Sequence, residues 1–141
     1  IISFLEINDL FIFSLVNKQC KRIAEDPYLW KSMFFSRFFS IDYKEDFNWK
    51  EYYCNWQKDF LQTTNTKLYC CQNGITGSLF EEVFENYNWE MDKEVYNENG
   101  ELDTTKPMYN AVFYCQPRSI KKILEYGVPY QEYLFLSCKL S

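Results

Sequence analysis

The chain has 141 residues and a net charge of −5, with 15 Lys and Arg against 20 Asp and Glu. That balance excludes a nucleic-acid backbone as the main ligand, because phosphate binding draws on clustered Lys and Arg. A hydrophobic content of 47% with 25% charged residues is a folded composition. It suits one ordinary domain, or a small module followed by a short repeat array.

The chain contains no His. This excludes Ser-His and Cys-His nucleophile pairs and every His-containing metal site. The six cysteines, Cys20, Cys54, Cys70, Cys71, Cys115 and Cys138, show no paired CxxC spacing, so no metal or other cofactor is expected. Ile1 to Leu5 is too short an apolar run for a signal core and lacks a basic flank. No uninterrupted apolar stretch approaches the length that crosses a bilayer, so no membrane partner is expected. Reduced thiols in the cytoplasm or nucleus are the simplest account of the cysteines. Lys44, Lys50, Lys58 and Lys67 stand among Glu45, Asp46, Glu51 and Asp59, which reads as a mixed solvated face. Tyr (12) and Phe (13) are numerous, and such residues serve both cores and interfaces.

In chain order, Asn8 or Asp9 predicts a helix cap, with a helix from Leu10 to about Asn17. That helix is apolar nearly all round, so it is either deeply buried or leaves one face for a partner. A basic segment, Lys18 to Arg22, leads into Ile23-Ala24. Asp26-Pro27 then marks a new start, with Asp as cap and Pro at the first helical position. Tyr28, Leu29, Trp30, Met33, Phe34 and Phe38 form the expected apolar face of that helix.

Ile2-Ser-Phe-Leu5, Asn8-Asp-Leu10, Ser14-Leu-Val-Asn-Lys18, Arg22-Ile-Ala24 and Asp26-Pro-Tyr-Leu-Trp30 together resemble the F-box in order and spacing, over about 30 positions without a gap. The resemblance implies a three-helix hook over residues 1–40 that docks a Skp-type adaptor and, through it, a cullin. Carried over position by position, it implies partner contacts at Leu5, Leu10, Leu15, Val16, Lys18, Cys20, Ile23 and Leu29; the alternative is that most of these are core, with contact favoured at Val16 and Ile23 and a structural plug at Trp30. Two departures stand out. The Leu-Pro pair that opens the box is absent, which reads as truncation, and Cys20 occupies a position where the family most often has Trp. The second removes an aromatic anchor of the kind that dominates interfaces.

Asn48, with Glu51 three residues later and Phe47 able to staple onto Tyr52, predicts a helix start. Trp49, Tyr52, Tyr53, Trp56 and Phe60 recur at helical spacing, and core packing is their expected role. A Trp-Lys-x-x-Tyr helix of this kind often comes after the box in the F-box family, so residues 41–64 read as a linker helix that fixes the box to the C-terminal half.

Residues 65–141 hold a weak internal repeat. Thr66 to Cys71 aligns with Lys106 to Ala111 at an offset of 40, and Leu79 to Glu85 aligns with Ser119 to Glu125 at the same offset. Each unit reads as a pair of short helices, with Ser78 and Glu81 as a capping box in the first. Lys106-Pro-Met-Tyr-Asn-Ala111 and Ile123-Leu-Glu-Tyr-Gly-Val128 are similar to the two signature segments of an ankyrin repeat at the family's separation. Lys106, Tyr109, Cys115 and Lys122 depart from that pattern, and the longer offset puts extra residues between Asn88 and Thr105. Generic helical hairpins are the alternative. Tyr133 to Cys138 reads as the start of a third unit.

Asn97 to Gly100 has calcium-loop composition, but the corresponding first and twelfth positions are Val95 and Lys106, which cannot ligate calcium. Glu81, Glu82 and Glu85 suit a helix start. The Asn73-Gly74 and Thr76-Gly77 turns form no phosphate loop. The expectation is an all-α chain: a hook, a linker helix and ankyrin-like helical hairpins. It would be a non-catalytic substrate-recognition subunit of a ubiquitin ligase, its repeats holding a protein target. A non-degradative scaffold or host-targeting effector that binds the same adaptor is the alternative.

Overall fold

A computed structural model describes residues 7–39 and 48–134. Among these the fold is all-helical, with eight α-helices and two short 3-10 segments. The described residues contain no strand beyond an isolated antiparallel bridge between Tyr96 and Leu102. The described residues divide into two compact units. One holds those up to Arg37 and from Asn48 to Gln62; the other holds Phe38, Phe39 and those from Thr63 onward.

The first unit contains α1 (Ile7–Ser14), α2 (Lys18–Ala24), α3 (Pro27–Arg37) and α4 (Trp49–Gln62). Helix α1 lies earlier than the sequence predicts: Asn8 and Asp9 fall inside its first turn, and it stops at Ser14. The chain there tightens, Leu15 and Val16 donating to the carbonyls of Ile12 and Phe13 at 3.1 and 3.2 Å. The stop belongs to Asn17, whose Oδ1 accepts the Cys20 N–H at 2.8 Å and caps α2 instead. Lys21 and Arg22 in the last turn of α2 suit its negative end. Asp26 caps α3, accepting the Tyr28 N–H at 2.9 Å ahead of Pro27, and Asn48 accepts the Glu51 N–H at 3.2 Å to start α4. Phe47, the expected staple, lies outside the described residues.

Helices α3 and α4 pack through aromatics. Trp30, Phe34, Trp49 and Tyr53 are buried, and Phe34 lies 4.9, 5.6 and 5.8 Å from the rings of Tyr52, Trp56 and Trp49. Trp30 meets Tyr53 edge-on at 5.5 Å. Tyr28 is not part of this face: it is 80% exposed.

The second unit contains α5 (Thr66–Asn73), α6 (Ser78–Val83), a 3-10 turn (Trp89–Lys93), α7 (Pro107–Phe113), α8 (Pro117–Leu124) and a 3-10 turn (Gln131–Tyr133). Cys71 and Ala111, like Leu79 and Ser119, are buried at matching places in the two helix pairs. The capping box predicted at Ser78 is absent, because α6 starts one residue earlier on Gly77, without a side-chain cap. Helix α5 ends on Gly74 at φ 70°, and Ile75 N–H reaches back to the Cys70 carbonyl at 3.0 Å. That left-handed closure is the one glycine adopts without a Cβ penalty. After α7 the same handedness falls on Cys115, at φ 55°.

Amide side chains join the two pairs. Gln72 donates to Asn110 Oδ1 at 3.0 Å, and Asn110 Nδ2 donates to the carbonyls of Thr104 and Lys106, both at 2.9 Å. Gln116 donates to the Gln72 carbonyl at 2.9 Å. Of the expected third unit from Tyr133 to Cys138, residues 135–138 lie outside the described residues.

Candidate docking surface

The end of α1 and the turn after it expose a run of large apolar side chains. Leu15 is 84% exposed, Val16 66% and Ile12 65%, with Phe11 also exposed. Water contact on that scale costs about 1.5–3 kcal/mol per side chain relative to burial. The run is short because α1 ends at Ser14, whose hydroxyl donates to the Phe11 carbonyl at 2.7 Å. Leu15 and Val16 thus follow the end of α1 in a turn that leaves both side chains exposed.

The residues proposed from sequence divide by exposure. Leu15, Val16 and Lys18 are exposed, while Cys20, Ile23 and Leu29 are half-buried on α2 and α3. Leu10 is 1% exposed and packs inside the unit. Leu5 lies outside the described residues. Phe11, Ile12 and Tyr28 are further exposed large side chains, outside the set that the resemblance implies. A helix apolar nearly all round carries no signal for which of its sides faces water. Trp30 is the expected plug: it is buried, and its Nε1–H donates to the Ala24 carbonyl at 2.6 Å.

A cluster of titratable side chains lies in the second unit. Tyr87 donates to Asp92 Oδ1 at 2.6 Å, and Lys106 Nζ lies 3.9 Å from that oxygen while donating to the Met91 carbonyl at 2.9 Å. Burial raises the Asp92 carboxyl above its ordinary value, partly offset by the Tyr87 hydrogen bond and the Lys106 charge. Burial and the Asp92 carboxylate also raise the Tyr87 phenol. Asp92 itself is buried, and the cluster ties the segment between α6 and α7 in place. No group of three or more His, Cys, Asp or Glu among the described residues is placed to hold a metal ion. No helix among the described residues is long and apolar enough to cross a membrane.

A family model described as F-box-like matches residues 1–36, the segment that carries α1, α2 and nearly all of α3. The match covers 36 of the 141 residues and supports an F-box-like segment at this end of the chain. No curated protein and no solved structure matches the chain.

Proposed function

We propose that this chain is a substrate-recognition adaptor of a Skp-cullin-F-box ubiquitin ligase. Its N-terminal unit docks a Skp-type adaptor and, through it, a cullin. Its C-terminal helix pairs, read as ankyrin-like, hold a protein target. Neither half performs chemistry, and the chain works in the cytoplasm or nucleus. The observation that carries this reading is the exposed apolar run Ile12, Leu15 and Val16 inside the segment that matches the F-box-like model. Such a run is unfavourable in water and calls for an apolar partner. What supports the repeat reading is two helix pairs whose starts are offset by 41 residues (Thr66 to Pro107) and 39 residues (Ser78 to Pro117).

Co-purification of the chain with a Skp-type adaptor tests the proposal. Retention by wild type and loss with Val16→Glu is the expected result; no retention of the wild-type chain would sink it. A second reading is an adaptor-binding scaffold or host-targeting effector that delivers no substrate; the match, confined to residues 1–36, is common to both readings. Cullin assembly on the bound complex, followed by ubiquitination of a captured partner, distinguishes delivery from scaffolding.

A further inference from the structure

Two Asn-Gly pairs stand in the sequence, Asn73-Gly74 and Asn99-Gly100, and the fold treats them in opposite ways. Such a pair is reactive because glycine has no Cβ to shield its amide nitrogen from the preceding side chain. Asn73 ends α5. Its Nδ2 donates to the Tyr69 carbonyl at 2.9 Å, and the Gly74 N–H donates to the Cys70 carbonyl. Gly74 is buried, and Gln116 Oε1 lies 2.6 Å from the place a Cβ would take there. Asn99-Gly100 instead tips the turn between Tyr96 and Leu102, where residues 96–101 are all exposed. The Asn99 backbone N–H donates to Asn97 Oδ1 at 3.0 Å, but its side chain has no hydrogen-bond partner among the described residues. The Gly100 N–H donates to the Asn97 carbonyl at 3.0 Å, and nothing lies within 4 Å of a Cβ placed on Gly100.

We propose that Asn99 is a site of spontaneous modification, converting in the folded chain to aspartate and isoaspartate through a succinimide, while the helix cap keeps Asn73 intact. Hydroxide removes the Gly100 amide proton, and the nitrogen attacks the side-chain carbonyl carbon of Asn99. The new N–C bond forms as the bond to the side-chain nitrogen breaks, and that nitrogen leaves as ammonia with a proton from water. A water molecule then opens the imide. Opening at the side-chain carbonyl leaves aspartate in an unchanged backbone; opening at the main-chain carbonyl leaves isoaspartate. No oxidant or reductant takes part. Ring closure requires the Gly100 N–H to leave Asn97, which in an exposed turn is a local opening. At Asn73 the same motion must break the bonds to Tyr69 and Cys70 and move Gln116, which donates to the Gln72 carbonyl at 2.9 Å. Isoaspartate adds a carbon to the main chain inside the turn. Asn97 Oδ1 accepts there from both Asn99 and Glu101, and the Asn97 N–H donates to the Glu101 carbonyl at 2.7 Å. The Tyr96–Leu102 bridge should therefore lose its register.

The test incubates the full chain at mildly alkaline pH, folded and in denaturing urea, and follows both asparagines by peptide mapping with mass spectrometry. Enzymatic methylation of the digests quantifies isoaspartate. In the folded chain Asn99 should convert at least about tenfold faster than Asn73. In urea the two rates should converge, because both pairs then sit in open chain. Asn97→Ala removes the acceptor that organises the turn, so it should speed conversion of Asn99 and leave Asn73 unchanged. Asn99→Gln, whose side chain would have to close a larger ring, should abolish conversion at that position. An Asn99 that stays intact in the folded chain would overturn the proposal, as would an Asn73 that converts equally fast there. A difference between the two that survives in urea would overturn it as well, since the fold would then not be its cause.

Discussion

The indole N–H of Trp30 and the carbonyl of Ala24, six residues earlier, are joined by a buried 2.6 Å hydrogen bond. It closes the corner between α2 and α3. The carbonyl lies at the C-terminal end of α2, where helix acceptors lack intrahelical partners. Trp30→Phe keeps most of the ring volume and orphans that acceptor. The expected loss is about 1–3 kcal/mol, read as a lower urea midpoint, whereas Tyr28→Ala at an exposed position should stay within about 0.5 kcal/mol of wild type.

Leu15→Glu and Ile23→Glu should separate binding from folding. Leu15 is among the most exposed apolar side chains, so the charge should leave thermal unfolding unchanged while adaptor affinity falls about thirtyfold. Ile23 is half-buried, and its replacement should lower both affinity and the unfolding temperature. A Leu15→Glu chain that binds like wild type would remove Leu15 from the docking surface.

Asp92 gives the second unit a pH dependence of known sign. Its carboxyl is raised in the fold, chiefly by burial, so the native state holds this proton more firmly than the unfolded chain does. Stability from this group therefore falls as pH rises from the ordinary Asp range, near 3.9, through the raised native value, and is constant above it. Asp92→Asn cannot ionise and keeps an acceptor for Tyr87. Relative to wild type, it should gain stability between pH 4 and pH 7, measured by urea unfolding at each pH. A difference independent of pH would show that Asp92 is not shifted.

Gly74 and Gly127 both have positive φ, 70° and 79°, but only Gly74 is crowded. A Cβ there would lie 2.6 Å from Gln116 Oε1, whereas nothing lies within 4 Å at Gly127. Gly127→Ala should cost about 1–2 kcal/mol from left-handed strain alone. Gly74→Ala should cost about 1 kcal/mol more, because Gln116 must move off the Gln72 carbonyl that it donates to. Equal costs would mean that Gln116 repositions freely.

Cys115 takes the left-handed conformation with a Cβ, at φ 55°. Cys115→Gly should relieve that strain and return part of it as unfolded-chain entropy, for a net gain of about 0.5–1 kcal/mol. Thermal unfolding reads it directly, and destabilisation would contradict the strain.

Much of the all-helical fold is legible because short polar residues stand where helices have to begin. Asp26 before Pro27 and Asn48 before Trp49 cap as their chemistry dictates, and the Trp49–Phe60 stripe packs on α3. The start at Ser78 is not legible because Gly77 takes the cap without a side chain, which composition cannot announce. The end of α1 is hidden because Leu15 and Val16 continue its apolar period beyond Ser14, while Asn17, expected as the last helical residue, caps the next helix. Exposure in the docking region is the least legible property. Leu10 and Leu15 are the same residue type five positions apart, and burial places one inside and the other in water. The Asp92 cluster is invisible along the chain because Tyr87, Asp92 and Lys106 form no motif and meet only once the segment between α6 and α7 folds back.

The amide of Asn110 is fully occupied across the two helix pairs: its oxygen is taken by Gln72 of α5, and its nitrogen by the carbonyls of Thr104 and Lys106. Opening either pair alone would strip partners from a buried amide, an outcome more costly than the ordinary fraying of a stacked repeat. The boundary between the pairs should therefore be mechanically silent. Under a pulling force applied at the ends of this unit, the pairs should yield in one step of combined length, without a plateau at half extension.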